Sequence, residues 1–258
     1  MGLLDGKRIL VTGVLTDDSL AFAAARIAQE QGAEIVLTGA GRGMGLTQRV
    51  ARRLPTEPEV WELDVTQATH VEDVRTKLRE KWGSVDGALH AIGFAPASCL
   101  GDGAFMEAPW DDVSVALQIS TYSLKTLAEV VTPLMPDGGS IVGLDFDNST
   151  QAWPAYDWMG VAKAGLEAAS RYMARSLGPK GIRVNLVAAG PIRTVAAKSI
   201  PAFAKFEDVW DDRAPLGWDV RGDYEAVGRA CVALLSDWFP KTTGEIVHVD
   251  GGFHAVGA

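Results

Sequence analysis

Cysteine and histidine are scarce in this sequence. Among 258 residues there are two cysteines, Cys99 and Cys231, which lie far apart and show no CxxC spacing. Because cytosolic thiols stay reduced, we expect two structural cysteines rather than a disulfide framework. The four histidines fit no zinc-ligand spacing, so no metal site is predicted; they are His70, His90, His248 and His254.

Positive charge and long apolar runs are also scarce. Lys and Arg number 24 against 33 Asp and Glu, which gives a net charge of -9. This charge argues against nucleic acid as a main partner, since phosphate binding needs a positive field. No run approaches the roughly 18 apolar residues of a membrane span, and no signal-peptide hydrophobic region precedes Arg8. We therefore expect a cytoplasmic protein without a membrane span.

The sequence does contain a regular alternation of short apolar runs with amphipathic stretches. Nearly continuous apolar runs are typical of strands covered on both faces; they occupy Arg8–Thr12, Glu34–Thr38, Glu59–Leu63, Gly87–Ile92, Ser140–Leu144, Arg183–Ala188 and Ile246–Val249. Helical spacing occupies Leu20–Gln31, Thr47–Leu54, His70–Trp82, Trp110–Leu134, Met159–Leu177 and Tyr224–Leu235. Repeated βαβ units predict an α/β fold, a doubly wound, Rossmann-type parallel sheet of seven strands.

One connection is longer than the others. No linker or repeat interrupts the alternation, so residues 1–258 are predicted to form a single domain. Between the sixth strand and the last helix, however, lie about 35 residues, too many for an ordinary loop. Loops at the carboxyl ends of strands build the site in this fold class. Residues from about 191 to 218 are therefore predicted to cover the substrate as a lid; the alternative is a helical surface insertion used for oligomer contacts.

The turn after the first strand has a reduced glycine pattern. The usual dinucleotide fingerprint has three glycines, whereas here Gly13 is followed by Ser19 and Ala21 at the later small-residue positions. Gly13 permits a tight turn, Ser19 can cap the next helix or bind phosphate, and that helix offers its N-terminal N–H groups to a diphosphate. The turn is a candidate dinucleotide site, with a purely structural turn as the alternative.

Other strand ends add candidate cofactor contacts. The glycine-rich segment 41–45 follows the second strand, where this fold meets the adenosine ribose. We interpret it as a flexible loop whose Arg42 can reach a 2′-phosphate, so NADPH stays open beside NADH. The remaining candidates lie after the third, fourth and sixth strands: Asp64 and Val65 for adenine, Ile92 and Gly93 for a ribose, and Ile192 and Thr194 for a carboxamide and the diphosphate. A simple turn is the alternative at Gly93.

Tyr156 and Lys163 are the candidate reacting pair. Seven residues make nearly two helical turns, so both side chains face the same way. The lysine's charge is expected to make the tyrosine more acidic, and its ammonium can hold ribose hydroxyls. Tyr156 can donate a hydrogen bond to an oxyanion, and Phe146 can form an apolar wall. An unrelated surface pair is the alternative, but four strand ends converge on this point.

These features together resemble the short-chain dehydrogenase/reductase superfamily, and within it the enoyl-acyl-carrier-protein reductases. The resemblance rests on Gly-x5-Ser-x-Ala in place of a glycine-rich turn, and on a lysine seven residues after the tyrosine rather than four. It covers essentially the whole chain, including Pro154–Met159, Asn185–Thr194 and Leu234–Trp238. It is strongest toward the mycobacterial type, the target of isoniazid.

The resemblance implies a homotetrameric enzyme of fatty-acid biosynthesis. Such an enzyme transfers hydride from NADH to the β-carbon of a trans-2-enoyl thioester carried on acyl carrier protein or CoA. Tyr156 would bind the thioester carbonyl and stabilise the enolate, Lys163 would hold the nicotinamide ribose, and Phe146 would line the hydride path. NADH contacts are implied for Ser19, Leu20, Asp64, Val65, Ile92, Gly93 and Ile192. Met159 and the lid would line the acyl pocket.

Two other functions stay open. One is an ordinary carbonyl or alcohol dehydrogenase, which the tyrosine-to-lysine spacing argues against. The other is a cofactor-binding protein without catalysis, which the presence of both Tyr156 and Lys163 argues against. A panel of enoyl thioesters, ketones and alcohols separates the three.

Overall fold

A parallel sheet forms the centre of the computed structural model, which describes residues 1–101, 103–146, 150–194, 197, 200–201 and 203–257. Its strands are β1 Arg8–Thr12, β2 Glu34–Gly39, β3 Val60–Glu62, β4 Gly87–His90, β5 Gly139–Asp145, β6 Ile182–Ala189 and β7 Ile246–Val249. Their spatial order is β3-β2-β1-β4-β5-β6-β7, and every neighbouring pair is parallel. The predicted seven-stranded, Rossmann-type sheet is confirmed.

Helices cover both faces of this sheet. They are α1 Leu20–Glu30, α2 Met44–Ala51, α3 Ala68–Trp82, α4 Ala104–Glu107, α5 Trp110–Leu117, α6 Ser123–Val131, α7 Asp157–Leu177, α8 Ala204–Arg213 and α9 Tyr224–Leu235. In β1, Ile9 and Val11 pack into the core layer that contains α1, α2 and α9. Leu10 packs into the layer that contains α3, α6 and α7. Because successive strand residues point to opposite faces, both faces must be apolar, which explains the continuous apolar runs.

Among the differences from the prediction are one segment between β4 and β5 and one after β2. The helix predicted over Trp110–Leu134 is divided by a π-helical turn, Gln118–Tyr122, between α5 and α6. The glycine-rich segment 41–45 was interpreted as a flexible loop, and this is wrong. Gly41–Gly43 forms a 3-10 turn that leads directly into α2 at Met44. Because α2 continues directly from this turn, its helical hydrogen bonds offset the low helix propensity of glycine.

The topology also determines where a ligand can bind. The chain builds β1, β2 and β3 outward in one direction and then returns to place β4 on the other side of β1. Ligands of open α/β sheets bind at this reversal, at the carboxyl ends of the strands. The ends of β1, β4, β5 and β6 therefore border one crevice.

The described residues contain no candidate membrane span and two free cysteines. Within the described part of the chain, no helix is long and apolar enough to cross a bilayer. Cys99 and Cys231 are buried and free of disulfide bonds. Burial raises the pKa of the Cys231 thiol to about 12, so that thiol stays protonated and unreactive.

Candidate active site

A cleft with about 500 Å³ of space opens at the carboxyl edge of the sheet. It brings together most of the predicted site residues: Gly13, Ser19, Leu20, Ile92, Gly93, Phe146, Tyr156, Met159, Lys163, Ile192 and Thr194. A volume of this size is typical of small-molecule sites. Residues that are distant in sequence thus meet at one place because their strands are parallel neighbours.

Gly13 is required by the close approach of two strand ends. Its φ is +77°, and a Cβ atom there would lie 2.0 Å from the carbonyl oxygen of Ala91. The Thr12 hydroxyl holds the two ends together, since it donates to the Leu89 oxygen at 3.0 Å and accepts from the Ala91 nitrogen at 2.9 Å. Any larger residue at position 13 would push β1 and β4 apart.

Ser19 caps the helix that starts at the cleft. Its hydroxyl accepts a hydrogen bond from the Phe22 nitrogen at 3.2 Å and donates one to the Thr16 oxygen at 2.7 Å. Of the two roles predicted for Ser19, the structure shows the capping role. Leu20 and Ala21, in the first turn of α1, line the cleft. Backbone N–H groups of a first helical turn have no acceptor within the helix and favour an anion.

Asp64 and Val65 are not among the described residues that line the cleft. The Asp64 carboxylate accepts hydrogen bonds from the nitrogen and the hydroxyl of Thr66, at 2.9 and 2.7 Å. This arrangement is an Asx turn before α3. Val65 packs against the core layer of α3. Their predicted contact with adenine therefore stays a prediction.

Tyr156 lies at the N-cap of α7 and is 7% exposed. The residues on either side of it, Ala155 and Asp157, have positive φ values of 62° and 35°. Such conformations cost free energy in non-glycine residues and cluster at functional sites. The Asp157 carboxylate accepts a hydrogen bond from the Gly101 nitrogen at 3.1 Å, which helps to hold this turn.

Lys163 lies two helical turns beyond Tyr156 and borders the same cleft. Its Nζ donates a hydrogen bond to the Leu144 oxygen at 2.8 Å and lies 4.0 Å from Asp145 Oδ1. Burial lowers the pKa of Lys163, and the Asp145 carboxylate opposes this effect. The carbonyl occupies one ammonium proton, so others remain for a ligand in the cleft.

The pKa of Tyr156 moves in the opposite direction from the predicted one. Burial raises it above the ordinary value of a tyrosine, and the negative charge of Asp145 raises it further. The prediction that Lys163 makes this phenol more acidic is therefore wrong. Tyr156 remains a neutral hydrogen-bond donor in the neutral pH range.

Asp145 was missed by the sequence reasoning. It ends β5, is 5% exposed, lines the cleft and acts on both members of the reacting pair. The available signal was a carboxylate that ends an otherwise apolar strand, immediately before Phe146. Buried aspartates are rare unless paired, so this position alone could have marked it.

Aromatic rings form the wall beside Tyr156. Phe146 contacts the Tyr156 ring edge-on, with centroids 5.2 Å apart. Phe146 also contacts Phe206 of α8, and Phe206 stacks on Trp153 at 5.3 Å. Such pairs add to the stability gained by burial alone. The predicted apolar wall at Phe146 is present, and α8 extends it.

The predicted lid, about 191–218, lies only partly among the described residues; positions 195, 196, 198, 199 and 202 lie outside them. Its described residues Ile200, Phe203 and Phe206 line the cleft. The Arg193 guanidinium makes two hydrogen bonds with the Glu207 carboxylate, which lowers the pKa of Glu207. This pair joins the start of the segment to α8.

Comparisons with known proteins agree with this geometry. A family profile described as enoyl-(acyl carrier protein) reductase matches residues 13–254. The NADH enoyl-acyl-carrier-protein reductases of Mycolicibacterium smegmatis and Mycobacterium avium are 48% and 46% identical, each over 97% of both chains. That of Escherichia coli is 38% identical over 98% of this chain and 96% of its own. The chain therefore belongs to the enoyl-acyl-carrier-protein reductases of the short-chain dehydrogenase/reductase superfamily.

Proposed function

We propose that this protein uses NADH to reduce the β-carbon of trans-2-enoyl thioesters on acyl carrier protein in fatty-acid biosynthesis. The observation that carries the proposal is that buried Tyr156 and partly buried Lys163, seven residues apart, face one cleft together with the Gly13 turn. The names of the relatives supply the thioester and the cofactor.

The residues of the cleft suit a dinucleotide. The first turn of α1 offers N–H groups beside Gly13, where the chain passes without a side chain. At the other end, the Lys163 ammonium is available for ribose hydroxyls. We propose that Gly13, Ser19, Leu20, Ile92, Gly93, Lys163, Ile192 and Thr194 hold the cofactor. Asp64 and Val65 remain the proposed contacts at the adenine end.

A mechanism follows from the protein's own groups. Bound NADH would supply the hydride. The neutral Tyr156 hydroxyl donates a hydrogen bond to the thioester carbonyl and stabilises the negative charge that develops on that oxygen as the enolate forms. The raised pKa of Tyr156 keeps its proton in place for this purpose. Phe146 and Met159 line the cleft beside Tyr156 and exclude water from the reacting carbons.

The lid, the single domain and the oligomeric state are further parts of the proposal. Ile200, Phe203 and Phe206 support a role of the lid in covering the acyl chain, because their side chains border the cleft. The single sheet supports one domain over residues 1–258. A homotetramer is supported by large apolar side chains at the surface, such as Trp110 and Tyr172, each 70% exposed. Light scattering on the purified protein tests the last point.

A substrate panel tests the activity. The protein should consume NADH, measured by its absorbance, when given trans-2-enoyl thioesters of acyl carrier protein or CoA, and should leave ketones and alcohols unchanged. Turnover of ketones or alcohols alone would contradict the proposal. NADH binding without turnover of any substrate would favour a cofactor-binding protein.

A further inference from the structure

The helix between β4 and β5 changes its winding in the middle. The five residues Gln118–Tyr122 form a π-helical turn between α5 and α6. π-Helical turns are rare, occur mostly as single turns within α-helices, and are frequent at functional sites. Two hydroxyl side chains of this turn, Ser120 and Thr121, form hydrogen bonds with the backbone of other segments. The residue after the turn, Ser123, bonds to the backbone and to a buried histidine.

Ser120 holds the loop that leaves β4. It is fully buried, and its hydroxyl accepts from the Phe94 nitrogen at 2.9 Å and donates to the Phe94 oxygen at 2.8 Å. Phe94 directly follows Ile92 and Gly93, which line the cleft. One side chain therefore satisfies both backbone groups of a residue at the wall of the cleft.

Thr121 holds the opposite wall. Its hydroxyl donates to the Ala162 oxygen at 2.6 Å, one residue before Lys163 on α7. Gly165 permits this approach, because a Cβ atom there would lie 3.1 Å from Thr121 Cγ2. The Lys163 side chain is held separately, by the Leu144 oxygen. Adjacent residues of one turn thus contact both walls of the cleft.

Ser123 anchors the turn itself. Its hydroxyl donates to the Ile119 oxygen at 2.5 Å and lies 2.7 Å from His90 Nε2. Since the hydroxyl has one proton, His90 must donate from Nε2, which assigns its tautomer. His90 is the last residue of β4 and is fully buried. The turn is therefore fixed to the sheet at the strand whose loop Ser120 holds.

We propose that Ser120 and Thr121 are positioning residues that set the separation between the Gly93–Phe94 loop and Lys163. This inference rests on the proposed function. In this role they determine how tightly NADH is held between the two walls, without contacting the thioester. Serine and threonine within a helix interior are otherwise neutral or unfavourable. Here each hydroxyl leaves its own helix to bond another element.

Substitution of Ser120 in the full-length protein tests this inference. Ser120→Ala removes both bonds to Phe94 and should weaken NADH binding about tenfold, measured by quenching of tryptophan fluorescence without thioester. Ser120→Thr keeps the hydroxyl and should restore most of the affinity. Thr126→Ala is the matched control, because this buried hydroxyl of α6 bonds to the Tyr122 oxygen at the end of the turn and to neither wall of the cleft. It should leave NADH affinity unchanged.

Thr121→Val provides a second test that leaves Phe94 untouched. It removes the bond to Ala162 with little change in volume, and should weaken NADH binding while kcat at saturating NADH and KM for the thioester stay the same. If Ser120→Ala fails to fold, Thr121→Val decides. Wild-type NADH affinity in Ser120→Ala or in Thr121→Val would overturn the inference. A wild-type protein that binds NADH but reduces no enoyl thioester would instead refute the proposed function.

Discussion

At the scale of single residues, burial decides how the reacting pair can act. It raises the pKa of Tyr156 and lowers that of Lys163, and Asp145 favours the charged lysine while disfavouring a charged tyrosine. A neutral phenol beside an ammonium can donate a hydrogen bond but does not supply a phenolate. The arrangement suits stabilisation of an oxyanion better than removal of a proton.

Replacement of Tyr156 by phenylalanine separates chemistry from cofactor binding. Tyr156→Phe removes only the hydroxyl and should lower kcat with enoyl thioesters by about a hundredfold or more, since one oxyanion donor is typically worth that much. NADH affinity should stay the same. Lys163→Ala is the comparison, and it should weaken NADH binding. Equal losses of NADH affinity in both variants would contradict the assigned roles.

The burial of His90 should make the stability of the fold depend on pH. Burial, with a smaller contribution from the Lys163 charge, lowers its pKa from 6.5 to about 3. Below pH 6.5 the unfolded chain takes up a proton that the folded protein does not, so stability falls as pH falls toward 3. The loss should be on the order of 4 kcal/mol near pH 3.

Urea unfolding at several pH values measures this contribution. The variant His90→Gln cannot titrate at this position. Its free energy of unfolding should therefore approach that of the wild type as pH falls. A difference between the two proteins that stays constant from pH 7 to about pH 3 would show that His90 is not held neutral by the fold.

At the scale of secondary-structure elements, the approach of β1 to β4 shapes the entrance to the cleft. Gly13 and Gly6 have almost the same φ, +77° and +74°, but a Cβ atom at Gly6 meets nothing within 4 Å. Gly6→Ala should cost about 1 kcal/mol, from the positive φ alone. Gly13→Ala adds the collision with Ala91 and should cost roughly 3 kcal/mol in chemical unfolding. Equal costs would mean that the strand ends are not in close contact.

Elements with strong patterns were predicted well. β1, β7 and α9 have the predicted bounds, because their apolar spacing is uninterrupted. The π-helical turn was not predicted, since its apolar residues continue the helical pattern and the change of winding depends on bonds to β4 and α7. Helix α8 was not among the predicted helices, and helical structure in its segment was only an alternative, because its sequence is largely polar and its amphipathic pattern weak.

At the scale of the whole molecule, cofactor binding should be coupled to stability. Among the described residues that line the cleft, Lys163 is the only basic side chain, and Arg42 is not one of them. The relatives are named as NADH reductases, so a cofactor without a 2′-phosphate is expected to bind more tightly. NADH at about 100 times its Kd should stabilise the fold by about 2.7 kcal/mol. In thermal unfolding, NADPH at the same concentration should raise Tm less.

A matched variant completes this test. Arg42→Ala should leave the Tm shift with either cofactor unchanged, since Arg42 is exposed on the 3-10 turn before α2. If NADPH stabilises the wild type as strongly as NADH, and Arg42→Ala abolishes that effect, then Arg42 reads the 2′-phosphate and NADH preference is wrong.

Local pattern and spacing were enough to establish the α/β class, the strand sequence and the pairing of Tyr156 with Lys163. These depend on interactions close in sequence, such as strand alternation and helical periodicity. The role of Asp145, the direction of the Tyr156 pKa and the contacts of the π-helical turn depended on the tertiary structure. Each arises from desolvation or from hydrogen bonds between strands and helices that are far apart in the chain, and no local pattern encodes those distances.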